Sequence, residues 1–381
     1  MSGFLASVTL LPLLPRVKSG TRSLGSWVLG RYLHRYLRLL PTMAFLTLVI
    51  WQLYPLSSDG PTWWPYASLV KDSCRKYWWT EVLFVMNFIP WPQPNVLCMS
   101  VSWTLGVEMQ LFLGAVPLIV LYHYRPRFSV AFLAFIMVVS CLYTLWFCFY
   151  ENVRFPMMHM NVQNRPQVEN WVEVYTSSWC RCPVYIMGIL FGMTWHTHLA
   201  GHSTSSGQQE PGSRAIGDFL AALDRNVVLV VFFTAGLLMS LPVFGGYWAN
   251  RDVGEVQISA WADHMYLVFS RPAWALGVAL VCGLCLVGHG GMVNWFLTLP
   301  VLTPLSRLTF CSYLIHYPFV MMIYISRSVP FRYTSYETLV SFWGVVGVSF
   351  FLSAVVHLWV EAPFRNLEYW VRKHAQKSSS R

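Results

Sequence analysis

SWTLGVEMQLFLGAVPLIVLYHY, residues 102–124, is almost wholly apolar, yet it carries a glutamate at position 108. A run of about 20 apolar residues is long enough to cross a bilayer as a helix. A carboxylate near the middle of such a helix costs ~2.5–3.5 kcal/mol on insertion scales. Either Glu108 sits near an interface, hydrogen-bonded to a loop, or it faces a polar interior. Acidic residues within membranes usually face the bundle interior or a water-filled cavity. With Thr104 one turn before it on the same helical face, Glu108 is therefore read as a carboxylate in a polar cavity between spans.

The rest of the chain agrees with that reading. Of its 381 residues, 56% are hydrophobic and 11% charged, against ~25% charged in an ordinary soluble domain. Tryptophan and tyrosine, 19 copies each, suit bilayer interfaces. The apolar blocks run over 2–15, 39–55, 101–121, 129–149, 181–199, 226–245, 268–287, 307–326 and 340–360. The expectation is an all-α, polytopic transmembrane helix bundle of about nine spans, with 1–365 as the membrane domain and 366–381 as a basic cytoplasmic tail. Residues 292–303 are too short to span and read as a half-helix or a loop.

The net charge of +10 comes without a single basic stripe or tail, so the chain has no nucleic-acid partner on this reading; its partner is the lipid bilayer. If the first block points inward at its C-terminal end, the inner segments hold 16 of the 26 lysines and arginines. By the positive-inside rule this makes the C-terminus cytoplasmic and 56–100 an extracytoplasmic loop. HLAGHSTSSGQQEPGSR, residues 198–214, reads as a flexible cytoplasmic linker by its Ser, Gly and Gln content. MSGFLASVTLLPLLPR lacks the charged start and cleavage site of a signal peptide.

Three constellations carry chemistry. Arg31, Arg35 and Arg38 stand at i, i+4 and i+7, so one helical face brings three guanidiniums into a span. They are either orientation anchors that snorkel to headgroups or an anion site, since the arginine fork matches phosphate. His316 lies near the middle of its span, with Ser312 one turn earlier to orient it; it is a satisfied core residue or a functional imidazole. Glu361, at the inner end of the last span, reads as a cap or an ion-pair partner. No cysteine spacing is a zinc signature, and Cys282 and Cys285 read as buried thiols. Cys74 and Cys98 share the outer loop, where a disulfide is permitted.

WTLGVEMQLFL resembles the tryptophan-Ser/Thr-leucine-x-x-glutamate segment of the membrane acyltransferase-three family. RYLRLLP, CRKYWWTEVLFVMNFIP, CMSVSWTLGVEMQ, RPAWALG, PLSRLTFCSYLIH and EAPFRNLE are similar, in order, to its animal branch, the nose-resistant-to-fluoxetine type. The resemblance covers nearly the whole chain. It implies a bundle of about ten spans and transfer of an acyl group from cytoplasmic acyl-CoA to a hydroxyl acceptor, with no tightly bound cofactor. Arg31, Arg35 and Arg38 would then hold the phosphates of CoA, while Glu108 and His316 are the candidate catalytic residues.

Two departures stand out. In YTSSWCRCPVYIMG, Ser177 and Ser178 replace the family's Lys-Pro. The family's first span, with an arginine and a histidine regarded as catalytic, has no counterpart here, and MSGFLAS is similar to the start of the family's second span. The resemblance thus implies a chain that begins one span late. Two other readings stay open. A polytopic transporter or lipid-handling protein would favour inverted repeats and broken Gly/Pro helices, which the sequence does not show. A catalytically inactive family member would follow from the absent histidine. The span pattern implies a multi-pass integral protein of the plasma membrane or an endomembrane.

Overall fold

In the computed structural model, residues 1–15, 23–89, 98–153, 173–196, 224–251, 259–329 and 334–379 are described. They are helical, with no strand among them. The helices are α1 (Ser2–Leu10), α2 (Leu24–Gln52), α3 (Trp63–Leu83), α4 (Trp103–Tyr124), α5 (Pro126–Tyr150), α6 (Ser178–Thr194), α7 (Arg225–Arg251), α8 (Ala260–Leu286), α9 (Gly291–Leu297), α10 (Leu302–Ile325), α11 (Ser335–Val356) and α12 (Ala362–Ser379). A π-helical turn, His357–Glu361, joins α11 to α12 without a break.

Among the described residues, six helices are long and apolar enough to cross a membrane: α4, α5, α7, α8, α10 and the helix from Ser335 to Glu368. The other three apolar blocks are helical but fall short. The first is α1 with a 3-10 turn to Leu13, and α6 has 17 residues. In α2, Arg31, His34, Arg35 and Arg38 dilute the first half of 29 residues. Residues 292–303 contain the short helix α9.

One segment differs from the sequence reading. The 56–100 region is no plain loop, because it contains the 21-residue helix α3. The helix α12 runs through position 366, where the basic tail was expected to begin. The expected linker, residues 198–214, lies outside the described residues.

The chain divides into two compact units. The first comprises Met1–Val28 and Val107–Leu297, the second Leu29–Gly106 and Thr298–Arg381. In the first unit α1 packs on α6, α5 and α8 pack on α6, and α7 packs on α8. The α1–α6 contact is backbone to backbone. A Cβ on Gly3 would lie 2.3 Å from the Tyr185 carbonyl oxygen, and one on Gly192 would lie 2.7 Å from Ser7 Cβ. Ser7 Oγ donates to the Ile189 carbonyl at 3.1 Å across the same seam. Small residues are what let membrane helices approach this closely.

In the second unit α10 packs on α11. The start of α11 is fixed by Thr334, whose side chain accepts a hydrogen bond from the Glu337 N–H at 3.2 Å, the first half of a capping box. Helix α3 ends at Phe84, which takes the left-handed conformation with φ 57°. The Val85 N–H returns to the Thr80 carbonyl at 3.0 Å, closing the turn as a Schellman motif does. Phe84 is 1% exposed and sets its ring edge-on to Tyr36 at 5.9 Å. That packing holds a bulky residue where glycine is usual.

Candidate functional site

The arginine face lies on the N-terminal half of α2. Arg31 and Arg35 are half-buried and Arg38 is exposed. Arg38 and Thr42 line a narrow crevice with Glu361, Arg365 and Glu368. One turn before Arg38, His34 Nδ1 meets Glu368 Oε1 at 2.7 Å. Glu361 is an ion-pair partner: its Oε2 lies 2.8 Å from His357 Nδ1, and Cys311 Sγ donates to the same oxygen at 3.4 Å. The face is therefore mixed in sign at Arg38. Two carboxylates beside two arginines leave less positive potential there than the sequence pattern suggests.

His316 occupies a different place in the same unit. It lines a cleft of about 390 Å³ between α10 and α11, together with Ser312, Tyr313, Phe342, Val346 and Ser349. Ser312 is not what orients the ring. Nδ1 lies 2.7 Å from the Tyr313 carbonyl oxygen, and the Tyr313 ring sits 5.6 Å away. A carbonyl oxygen only accepts, so Nδ1 carries the proton. In a neutral imidazole Nε2 is then the lone-pair nitrogen, which can take a proton from a hydroxyl. Tyr313 is held in turn: its hydroxyl donates to the Val101 carbonyl at 3.2 Å and accepts from Thr104 Oγ1 at 3.0 Å.

Glu108 falls in the first unit, on α4, half-buried between the buried Val107 and Met109. The hydroxyl of Ser178, one of the two serines that depart from the family pattern, donates to Gln110 Oε1 and ties α4 to α6. In the same unit Arg181 and Arg271 flank the Tyr175 ring and donate to the Tyr175 and Val174 carbonyls.

Cys74 and Cys98 form a disulfide. It closes the region holding a carboxylate that the sequence reading passed over. Glu81, on the last turn of α3, is 2% exposed, and its Oε2 has no hydrogen-bond partner. Burial pushes this carboxyl up to about 7, against the lowering effect of the Ser102 hydroxyl and the Met99 N–H. The nearby Gly106 leaves room for this turn: a Cβ there would lie 2.8 Å from Met86 Sδ and 3.2 Å from the Phe84 carbonyl. No regular spacing in KYWWTEVL marks Glu81 as buried. A charged residue inside a tryptophan-rich stretch was the one available signal. Among the described residues no group of His, Cys, Asp or Glu is arranged to hold a metal ion.

Comparison with protein families matches residues 1–358 to the acyltransferase domain of the acyltransferase-three family. Among curated proteins, the chain is 28% identical over 316 residues to nose resistant to fluoxetine protein 6 of Caenorhabditis elegans, covering 82% of this chain and 36% of that protein. It is 24% identical over 319 residues to regulator of hypoxia-inducible factor 1 of the same organism, covering 79% of this chain and 56% of that protein. The chain thus spans about a third and just over half of the length of these two relatives. No solved structure matches it.

Proposed function

This chain belongs to the acyltransferase-three family, and from that premise we propose that it transfers an acyl group from cytoplasmic acyl-CoA to a hydroxyl acceptor at the membrane. The acyltransferase-domain match over residues 1–358 carries the reading. In the reaction the acceptor oxygen attacks the thioester carbonyl. The C–O bond forms as the C–S bond breaks, the hydroxyl proton passes to a base, and CoA leaves as a thiolate that is then protonated. A positioned base is worth typically ~10²–10⁴-fold. His316 Nε2 has the lone pair for that step. Glu108 is the candidate contact to the acceptor. Arg31, Arg35 and Arg38 are the candidate residues for the CoA phosphates.

The experiment is transfer of radiolabelled acyl groups from acyl-CoA into a membrane extract, using purified full-length protein. Arg35→Gln should raise the KM for acyl-CoA tenfold or more, because charge-assisted hydrogen bonds are worth ~1.5–3 kcal/mol each. Glu108→Gln and His316→Gln should lower kcat in folded protein. Transfer that stays at background in the wild type sinks the enzymatic reading. Unchanged kinetics in Arg35→Gln would leave the arginines as orientation anchors.

A further inference from the structure

The crevice between α2 and α12 carries both signs of charge and lies at the depth of lipid headgroups. Helix α11 has 22 residues, which at 1.5 Å per residue matches a hydrocarbon core of ~30 Å. Glu361 and Arg365 follow beyond its end. On α2, Arg38 is the last charged residue before the apolar run 39–55, so both helices bring the crevice to such a boundary. Three charged groups there are uncommitted. Arg38 and Arg365 are exposed, and among the described residues neither guanidinium has a hydrogen bond or an ion pair. Glu361 spends Oε2 on His357 and Cys311, while its Oε1 has no partner and is not sealed off. Glu368 is taken by His34. The Thr42 hydroxyl also lacks a partner but is closed inside the protein, so it offers nothing to a ligand. Leu37 and Phe364, 49% and 52% exposed, give the rim an apolar flank.

An ion of one sign does not suit this lining. Inorganic phosphate or a diphosphate would meet the two arginines but also Glu361 and Glu368, and a simple cation would meet the reverse. A ligand that carries a phosphate and a cation side by side satisfies both, since the arginine fork matches phosphate. The apolar rim adds a hydrocarbon part, which makes the ligand a zwitterionic phospholipid. Size then chooses the cation. A volume of about 10 Å³ holds one water-sized group. A primary ammonium fits it and brings three N–H donors; a trimethylammonium is larger and brings none. A serine headgroup would add a third carboxylate beside the two glutamates. We propose that this crevice binds the headgroup of an ethanolamine phospholipid. Its ammonium donates to Glu361 Oε1, its phosphate sits at the mouth between Arg38 and Arg365, and its chains run past Leu37 and Phe364. The proposal does not rest on the acyltransferase reading, with which it shares only Arg38.

Native mass spectrometry of purified full-length protein reads out the lipid it retains. The protein is titrated with dioleoyl phosphatidylethanolamine, phosphatidylcholine or phosphatidylglycerol. The ethanolamine lipid should bind about tenfold more tightly than the other two, the change that one charge-assisted hydrogen bond supplies. Arg365→Gln should weaken the ethanolamine and choline lipids alike, whereas Arg225→Gln, outside the crevice, should change neither. Glu361→Gln should remove the preference and leave choline-lipid binding as it was. Because Glu361 also holds His357, that variant is checked for an unchanged melting profile. The wild type supplies a second measurement that needs no variant: affinity should fall as the ethanolamine nitrogen is methylated once, twice and three times. Equal binding along that series would overturn the proposal, and so would a preference that survives in folded Glu361→Gln. Displacement of the ethanolamine lipid by inorganic phosphate or palmitoyl-CoA at matched concentration would make the crevice a site for phosphates alone and end the lipid assignment.

Discussion

At the scale of single residues, Glu81 is the group whose behaviour follows most directly from its surroundings. Its carboxyl, ordinarily near 4.5, is raised to about 7 by burial. A raised pKa means that the folded state holds the proton more tightly than the unfolded state. The stability this contributes is fully present below pH 4.5 and is lost as pH rises towards 7. A shift of that size corresponds to a loss on the order of 3 kcal/mol. Thermal unfolding at pH 4.5 and pH 7.5 should therefore show a difference that Glu81→Gln abolishes; the same pH dependence in the variant would assign it to other groups. Glu108 was legible in the sequence because a lone charge in an apolar run stands out. Glu81 was not, because its helix has no clean apolar period and its burial comes from the segment around Cys98 and Ser102. His316 stood out by type. Its tautomer did not, since that depends on the Tyr313 carbonyl.

At the scale of elements, close approach of backbones decides what substitutions cost. In Gly3→Ala the new methyl would meet the Tyr185 carbonyl oxygen at 2.3 Å and the Ile189 nitrogen at 3.0 Å. Both are backbone atoms of α6, so the helices must separate, and overpacking of this kind costs ~1–3 kcal/mol. Gly30→Ala, inside α2 with nothing within 4 Å of the added Cβ, should be neutral or stabilise by ~0.5–1 kcal/mol. Thermal unfolding in detergent should show opposite signs, and a matched loss in both would remove the packing argument for the α1–α6 seam. The GxxxG spacing of Gly188 and Gly192 lies in the sequence but was not read there, and its partner has no local signal at all. Nothing local to residues 2–10 says that they pack on a helix more than 170 residues away. The cleft was illegible for the same reason, because Ser349 meets the wall of His316 only through the pairing of α10 with α11.

At the scale of the whole molecule, composition was enough to give an all-helical membrane protein, because apolar blocks of bilayer length are a global property. The number of crossings was harder to read, since α1, α2 and α6 are helical yet short or polar. The charge distribution makes one further expectation, a cytoplasmic C-terminus. A C-terminal tag in sealed vesicles should be open to protease from the cytoplasmic side, and a tag protected there would reverse the topology. That terminus is reached by helices of 22, 5 and 18 residues in unbroken succession, a rod of roughly 65 Å at 1.5 Å per residue. Its π-helical turn, His357–Glu361, holds one residue more than an α-helical path would. Each residue of an α-helix advances about 100° around the axis, so everything beyond Glu361 is rephased by about that angle relative to α11. The extra residue therefore sets which way the distal half of the rod looks. Tightening this turn to an α-helical one without shortening it would swing Glu368 more than a quarter-circle away from His34, whereas deleting one of its residues would leave Glu368 in place on an unbroken α-helix.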